Sequence, residues 1–154
     1  TLVASVILKE QILFSNIGDS RAYIYRENQM ELVTEDHSFV SELQRRGVLS
    51  DTEALTHYNK NALTRSLGVE GEVEVDFFKK LMNQVDLIML NSDGLSNAVN
   101  ETEMIEILKQ NDLSLDQRAE LLVNKAIENE GSDNITVSLI DVKTKLNNKV
   151  GENK

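Results

Sequence analysis

Cysteine, proline and tryptophan are absent from the 154 residues, and histidine occurs only at His37 and His57. Without cysteine there is no disulfide framework, no thiolate metal site and no cysteine nucleophile. Two histidines are too few for a histidine-rich zinc centre. Without proline, turns must be built on glycine, asparagine and aspartate. No apolar run approaches the roughly 20 residues of a membrane helix, so no membrane insertion is expected of this chain. Basic residues are also scarce: 16 Lys and Arg stand against 26 Asp and Glu, for a net charge of -10. A surface of that sign repels nucleic acid and anionic lipid, so neither is expected as a partner. The exception is the tail from Lys143, with four lysines and one glutamate. What is present, 40% hydrophobic and 27% charged residues, is enough to bury the core of one domain.

Residues 1–8 are apolar and read as a buried strand from the first position, which predicts a piece of something longer. Residues 12–17 read as its hairpin partner. After a break at Gly18-Asp19-Ser20, residues 22–25 and 30–33 complete what reads as a four-stranded antiparallel meander. The pattern then turns helical. Ser38 is placed to cap a helix to Arg46, with Phe39, Val40 and Leu43 on one face and Gly47 as the stop. Ser50 with Glu53 is a capping box for a short helix ending near His57. Residues 37–66 thus form one segment inserted between sheet elements. Residues 73–78 alternate as a half-exposed strand does, and 86–90 read as a central strand. Helices are predicted over 101–109 and from the Ser114 cap to Glu130, the second with a stripe of Leu115, Ala119, Leu122, Ala126 and Ile127 and with Gly131 at C′. Residues 135–142 form the last strand. The expected class is α+β with mostly antiparallel pairing, as one domain over 1–142 and a polar tail over 143–154.

Three short motifs share one form: Ile17-Gly18-Asp19-Ser20, Asn91-Ser92-Asp93-Gly94 and Gly131-Ser132-Asp133-Asn134. Each sets an Asp beside Ser and Gly or Asn at a strand end. Singly, each is ordinary turn chemistry. Jointly, strand ends of one sheet system can bring the three carboxylates onto one rim, where they repel each other and a divalent cation resolves the repulsion. Oxygen-only ligation favours Mg²⁺ or Mn²⁺. A pair of such ions makes water nucleophilic and clamps a phosphoryl group.

The run Asn16-Ile17-Gly18-Asp19-Ser20-Arg21-Ala22-Tyr23 resembles a hallmark of the PP2C-type metal-dependent protein serine/threonine phosphatases. So do Leu32-Val33-Thr34-Glu35-Asp36-His37-Ser38, Leu63-Thr64-Arg65-Ser66-Leu67-Gly68, Asn91-Ser92-Asp93-Gly94-Leu95 and Gly131-Ser132-Asp133-Asn134-Ile135-Thr136-Val137. Five motifs in the family's order span residues 1 to about 142, and the bacterial type is the nearest likeness. The resemblance implies a β-sandwich of two antiparallel sheets flanked by helices. It implies a binuclear Mn²⁺ or Mg²⁺ centre, with Asp93 and Asp133 as ligands and Asp19 at a third, weaker metal. It implies that Asn134 positions its neighbour Asp133 or a metal-bound water, and that residues from about 37 to 66 are the flap shaping substrate access. Phosphoserine and phosphothreonine proteins are the implied substrates, a Ser/Thr kinase the implied counterpart and the cytoplasm the implied location.

Two departures accompany the likeness. The family's N-terminal phosphate-binding Arg and Asp-Gly metal motif have no match here, so the fold is expected to be incomplete at its N-terminus and the chain inactive alone. His57-Tyr58 stands where the family has His-Pro. Arg45, Arg46, Lys60 and Arg65 concentrate positive charge in or near the flap, either to contact a phosphopeptide or as a solvated face. His57 is either a proton donor to a leaving alkoxide or an ordinary surface histidine. His37 is expected to fix the strand-to-helix turn. Ser20 and Ser92 lack the Gly-x-Ser-x-Gly elbow of a hydrolase nucleophile. The alternative of another class is a non-catalytic, truncated pseudophosphatase-like binding module. A regulatory relative acting on one small phosphoprotein is a third reading, disfavoured by the well-formed flap.

Overall fold

The computed structural model describes residues 1–69 and 71–142; the predicted tail lies outside them. Seven strands form two antiparallel sheets. One takes β1 (Leu2–Ile7), β2 (Gln11–Ile17) and β5 (Asp76–Leu81) in the order β1-β2-β5. The other takes β3 (Arg21–Arg26), β4 (Gln29–Leu32), β6 (Leu87–Asn91) and β7 (Val137–Asp141) in the order β4-β3-β6-β7. Between the sheets, Ile12 and Phe14 of β2 face Ala22 and Ile24 of β3 and Ile88 of β6. Each such large apolar side chain, fully buried, contributes roughly 1.5–3 kcal/mol.

Helices α1 (Phe39–Arg45) and α2 (Asp51–Thr56) form the inserted segment, each opened by the predicted serine cap. The short α3 (Asp93–Ser96) leaves β6 directly. Then α4 (Glu101–Leu108) and α5 (Leu115–Glu128) cover the outer face of the second sheet, where Met104, Leu108, Leu122 and Ala126 bury Tyr23, Tyr25, Leu87 and Met89. No helix among the described residues is long and apolar enough to cross a membrane.

The sandwich of two antiparallel sheets with helices is as expected, and four details differ. First, the first four strands are not a meander. β2 and β3 lie in different sheets, because β3 is buried on both faces and needs the centre of a helix-covered sheet. Gly18, at φ 103°, turns the chain across the gap. Second, β1 is an edge strand with Val6 56% exposed, not a buried one. Third, β5 starts at Asp76 rather than 73, because Asp76 pairs with Asn16 and β2 ends one residue beyond, at Ile17. Fourth, the left-handed residue closing α5 is Glu130 (φ 59°), with Gly131 one step later. The Gly131 N–H donates to the Ala126 carbonyl at 2.9 Å and the Glu130 N–H to that of Ile127 at 3.1 Å, a Schellman closure. Gly131 is required there by space: a Cβ would stand 2.8 Å from the Ala126 oxygen. Ile127 falls off the buried stripe of α5 and is exposed.

The outer face of the first sheet carries no helix among the described residues. By strand alternation it presents Leu2, Val6, Leu13, Phe77 and Leu81, all exposed, with Phe77 at 76%. A contiguous apolar face binds hydrophobic dye. The chain is expected to enhance ANS fluorescence, and Phe77→Thr with Val6→Thr to reduce that signal severalfold without lowering thermal stability. Unchanged fluorescence would show that this face is not open in solution.

Candidate functional site

Asp93 has Asp19 on one side and Asp133 on the other as charge neighbours, and the three arrive by separate routes. Asp19 sits on the crossover between the sheets, just after β2. Asp93 opens α3 at the end of β6. Asp133 lies in the loop between α5 and β7. Hydrogen bonds stitch the last two together. Ser92 N–H donates to the Thr136 carbonyl at 3.1 Å, Thr136 N–H to Ser92 Oγ at 3.0 Å, and Ser92 Oγ to the Asn134 carbonyl at 3.0 Å. The Ser92 hydroxyl is thus a structural stitch, in keeping with the absence of a nucleophile elbow. Gly94 allows the approach: a Cβ there would lie 2.4 Å from the Asn134 oxygen. Asn134 N–H donates to Asp133 Oδ1 at 2.7 Å, and Asn97 Nδ2 to Asp93 Oδ2 at 3.3 Å.

The electrostatics report the crowding. Burial and then the charge of Asp93 push the Asp19 carboxyl above its ordinary value. Burial and then the charge of Asp133 do the same to Asp93, and Asp36 adds to both. Asp36 and its partner Arg21 lie within the resembling motifs, but the turn context shared by Asp19, Asp93 and Asp133 does not mark them as site residues. Arg21 grips Asp36 with both forks, Nε at 3.0 Å and Nη2 at 2.7 Å. Burial disfavours the Arg21 cation, but the bonds and charge of Asp36 outweigh it and hold the guanidinium more firmly protonated than usual. The signal available in sequence is an arginine two residues from Asp19, at the start of a strand whose interior is apolar and aromatic.

Asp19, Asp36, Asp51 and Asp93 line a cavity of about 260 Å³, together with Val40, Ala54 and Leu55 of the inserted segment. Gln44 Nε2 joins α1 to α2 through Asp51 Oδ1 at 3.0 Å. Of the four cations predicted in or near a flap, Lys60 lines this cavity and makes no ion pair with another described residue. Arg45 pairs with Glu35 at 3.4 Å, Arg46 with Glu42 at 3.8 Å, and Arg65 with Asp76 at 2.8 Å and Glu74 at 3.6 Å. His57 ends α2, accepts from Asn59 N–H at 3.1 Å and stacks on Tyr58 at 4.7 Å.

The donor chemistry here, carboxylate oxygens with Asp19 and Asp93 pushed up by burial and then by each other's and Asp133's charge, fits a hard divalent cation. The number of donors does not make a closed cage: among the described residues no three His, Asp or Glu side chains converge on one point.

The family profile of protein phosphatase 2C matches residues 1–135. The chain belongs to the protein phosphatase 2C family. It is 48% identical, over 92% of its own length, to "Serine/threonine phosphatase stp" of Listeria welshimeri, and 37% identical over 92% to "Protein phosphatase PhpP" of Streptococcus pneumoniae. It superposes on the crystal structure of a bacterial serine phosphatase with a TM-score of 0.87 and 34% identity, over 91% of this chain. It covers 56%, 57% and 56% of those three chains respectively. The chain thus carries part of the PP2C fold and spans little more than half the length of these relatives.

Proposed function

We propose that this PP2C chain, over 1–142, supplies the C-terminal half of a protein phosphatase site that hydrolyses phosphoserine and phosphothreonine in proteins, reversing a Ser/Thr kinase in the cytoplasm. The observation that carries it is the pair Asp19 and Asp93 in the lining of a cavity beside the inserted segment, with Asp133 held next to Asp93, in a chain of this family. Asp93 and Asp133 would hold Mn²⁺ or Mg²⁺, with Asp19 toward a further, weaker site. A divalent cation bound there supplies positive charge for phosphoryl oxygens and lowers the pKa of water. The chain's own residues do the rest. Ser92 and Gly94 keep the two carboxylate loops in register. The Asn134 N–H holds one oxygen of Asp133, leaving the other to face a cation. Arg21 neutralises Asp36, so that its charge does not add in full to the rim. Lys60, in the lining of the same cavity, would offer a positive charge to an anionic peptide once a cation offsets the carboxylates.

The second reading, a non-catalytic binding module, is favoured by the lack of three convergent ligands among the described residues. Mn²⁺-dependent hydrolysis of a phosphothreonine peptide separates the two. The 154-residue chain alone is expected to turn over little or nothing. Mixing it with the complementary N-terminal segment of the Listeria relative is expected to restore activity, which Asp93→Asn abolishes. A mixture that assembles and binds Mn²⁺ yet stays inactive would favour the module.

A further inference from the structure

We infer that His37 is a positioning residue for Asp19: its imidazole clamps the Gly18 turn and ties it to the base of the flap through Asp76 and Arg65. The inference rests on the reading of Asp19 as a cation ligand for its bearing on activity, but the clamp stands on geometry alone. His37 is 2% exposed. It binds both polar backbone atoms of Gly18. The Gly18 N–H donates to His37 Nδ1 at 3.1 Å, and the His37 N–H donates to the Gly18 carbonyl at 2.9 Å. With Nδ1 accepting, the ring proton belongs on Nε2, which lies 2.9 Å from Asp76 Oδ2. Arg65 Nη1 donates to the other Asp76 oxygen at 2.8 Å, and the Thr64 N–H donates to the His37 carbonyl at 2.9 Å. One buried residue therefore touches the crossover turn, the first residue of β5 and the end of the flap segment.

The turn needs such a clamp. Gly18 is in a left-handed conformation open to glycine, and its freedom of rotation is transmitted directly to Asp19, the next residue. Apart from His37, the hydrogen bond on Gly18 from a side chain is that of Asn16 Nδ2, at 3.2 Å to the carbonyl. The N–H side depends on the imidazole. Burial works against a charged Asp76, but the hydrogen bonds from His37 and Arg65 outweigh it and hold its carboxyl below the ordinary value. The ring thus has a firm anchor on its far edge. A shift of the flap base that moves Arg65 would reach Asp19 through this chain of contacts.

Two substitutions divide the ring's roles. In His37→Asn the side-chain oxygen replaces Nδ1 as acceptor for Gly18, and the Asp76 contact is lost. In His37→Gln the amide reaches Asp76, and the Gly18 N–H is left buried without an acceptor. His37→Asn loses a part-buried bond, whereas His37→Gln leaves a buried N–H unpaired, so the larger fall in Tm is expected in His37→Gln. Mn²⁺ affinity of the 154-residue chain, read from the spin-resonance signal of free Mn²⁺, is expected to fall about 10-fold in His37→Gln and under about 3-fold in His37→Asn, on the scale of outer-sphere partners. In an Asp19→Asn background His37→Gln is expected to add nothing. Equal losses in both variants would overturn the positioning role. A wild-type chain that binds no Mn²⁺ would remove the cation reading and leave the clamp to a metal-free test. A through-hydrogen-bond ¹⁵N–¹⁵N coupling is expected between Gly18 and His37 Nδ1, with Gly18 amide exchange about 10-fold faster in His37→Gln than in His37→Asn, as local opening requires. No coupling, or equal exchange, would sink the clamp.

Discussion

Asp93→Asn is expected to change metal affinity and metal-free stability in opposite directions. Mn²⁺ binding should weaken by more than about 100-fold, beyond the cost of losing an outer-sphere partner. In metal-free buffer at neutral pH the same variant should be more stable by roughly 0.5–1 kcal/mol, the scale of a partly exposed charge pair. The physical reason is that Asp93 sits between Asp19 and Asp133, and its charge repels both. Asparagine keeps the shape and removes the repulsion. Calorimetric Tm without metal and Mn²⁺ titration on the same samples decide the matter. If stability fell together with affinity, Asp93 would be an ordinary helix-start residue, where a carboxylate is worth about 0.3–1 kcal/mol.

The pH dependence follows with a definite sign. The Asp19 and Asp93 carboxyls are raised from their ordinary 3.8, so the folded chain binds protons more readily than the unfolded one in that window. Metal-free stability should therefore rise as pH falls from neutral through their raised values, and level off near 3.8. Asp76 is lowered, so its contribution is present above 3.8 and is lost as pH falls further through its own value. A metal-free optimum on the mildly acidic side is expected, and Asp93→Asn should flatten the acid-side gain.

Gly94→Ala is expected to be the most damaging single methyl in the site. The added Cβ would meet the Asn134 carbonyl at 2.4 Å for oxygen and 3.1 Å for carbon. Backbone cannot swing aside as a side-chain tip can. Alanine is the better helix former by up to about 1 kcal/mol, but overpacking costs about 1–3 kcal/mol or more and dominates here. A net loss of roughly 2 kcal/mol should lower Tm by about 4–8 °C in a chain of this size. The relief of the clash parts the loops carrying Asp93 and Asp133, so Mn²⁺ affinity should fall as well. Gly47→Ala is the control, because φ is 68° and nothing lies within 4 Å. It should cost about 1 kcal/mol of backbone strain and leave Mn²⁺ binding unchanged. If the two variants proved equally mild, the close approach of the two loops would be wrong.

Much of the fold was legible in the residue pattern because its signals are local. Ser38, Ser50 and Ser114 cap the helices they were expected to cap, since a cap is decided within four residues. The apolar run at 86–90 proved central in its sheet, as continuous burial requires. The sheet crossing at Gly18 was not legible. A glycine-aspartate break reads the same whether the next strand pairs with the last one or crosses to another sheet. The start of β5 is not legible either, because a strand's pairing limits are set by its partner, here β2. Gly131 reads as the C′ residue, a role that Glu130 fills, because the demand for a small residue at 131 comes from the Ala126 carbonyl and not from a torsion.

The same division holds at the site. Sequence by itself determined the kind of chemistry: no thiolate, almost no imidazole, and three aspartates in one repeated turn context, in motifs whose order marks the PP2C family. Those are properties of residue type and spacing, and need no coordinates. Only the tertiary structure decided which groups act together. It brought Asp36 and Arg21 to the rim, left Lys60 facing the cavity while Arg45, Arg46 and Arg65 found carboxylate partners, and placed His37 against Gly18 and Asp76. Charge interactions and hydrogen bonds depend on distances of a few ångströms between residues tens of positions apart, and that separation is set when two sheets pack.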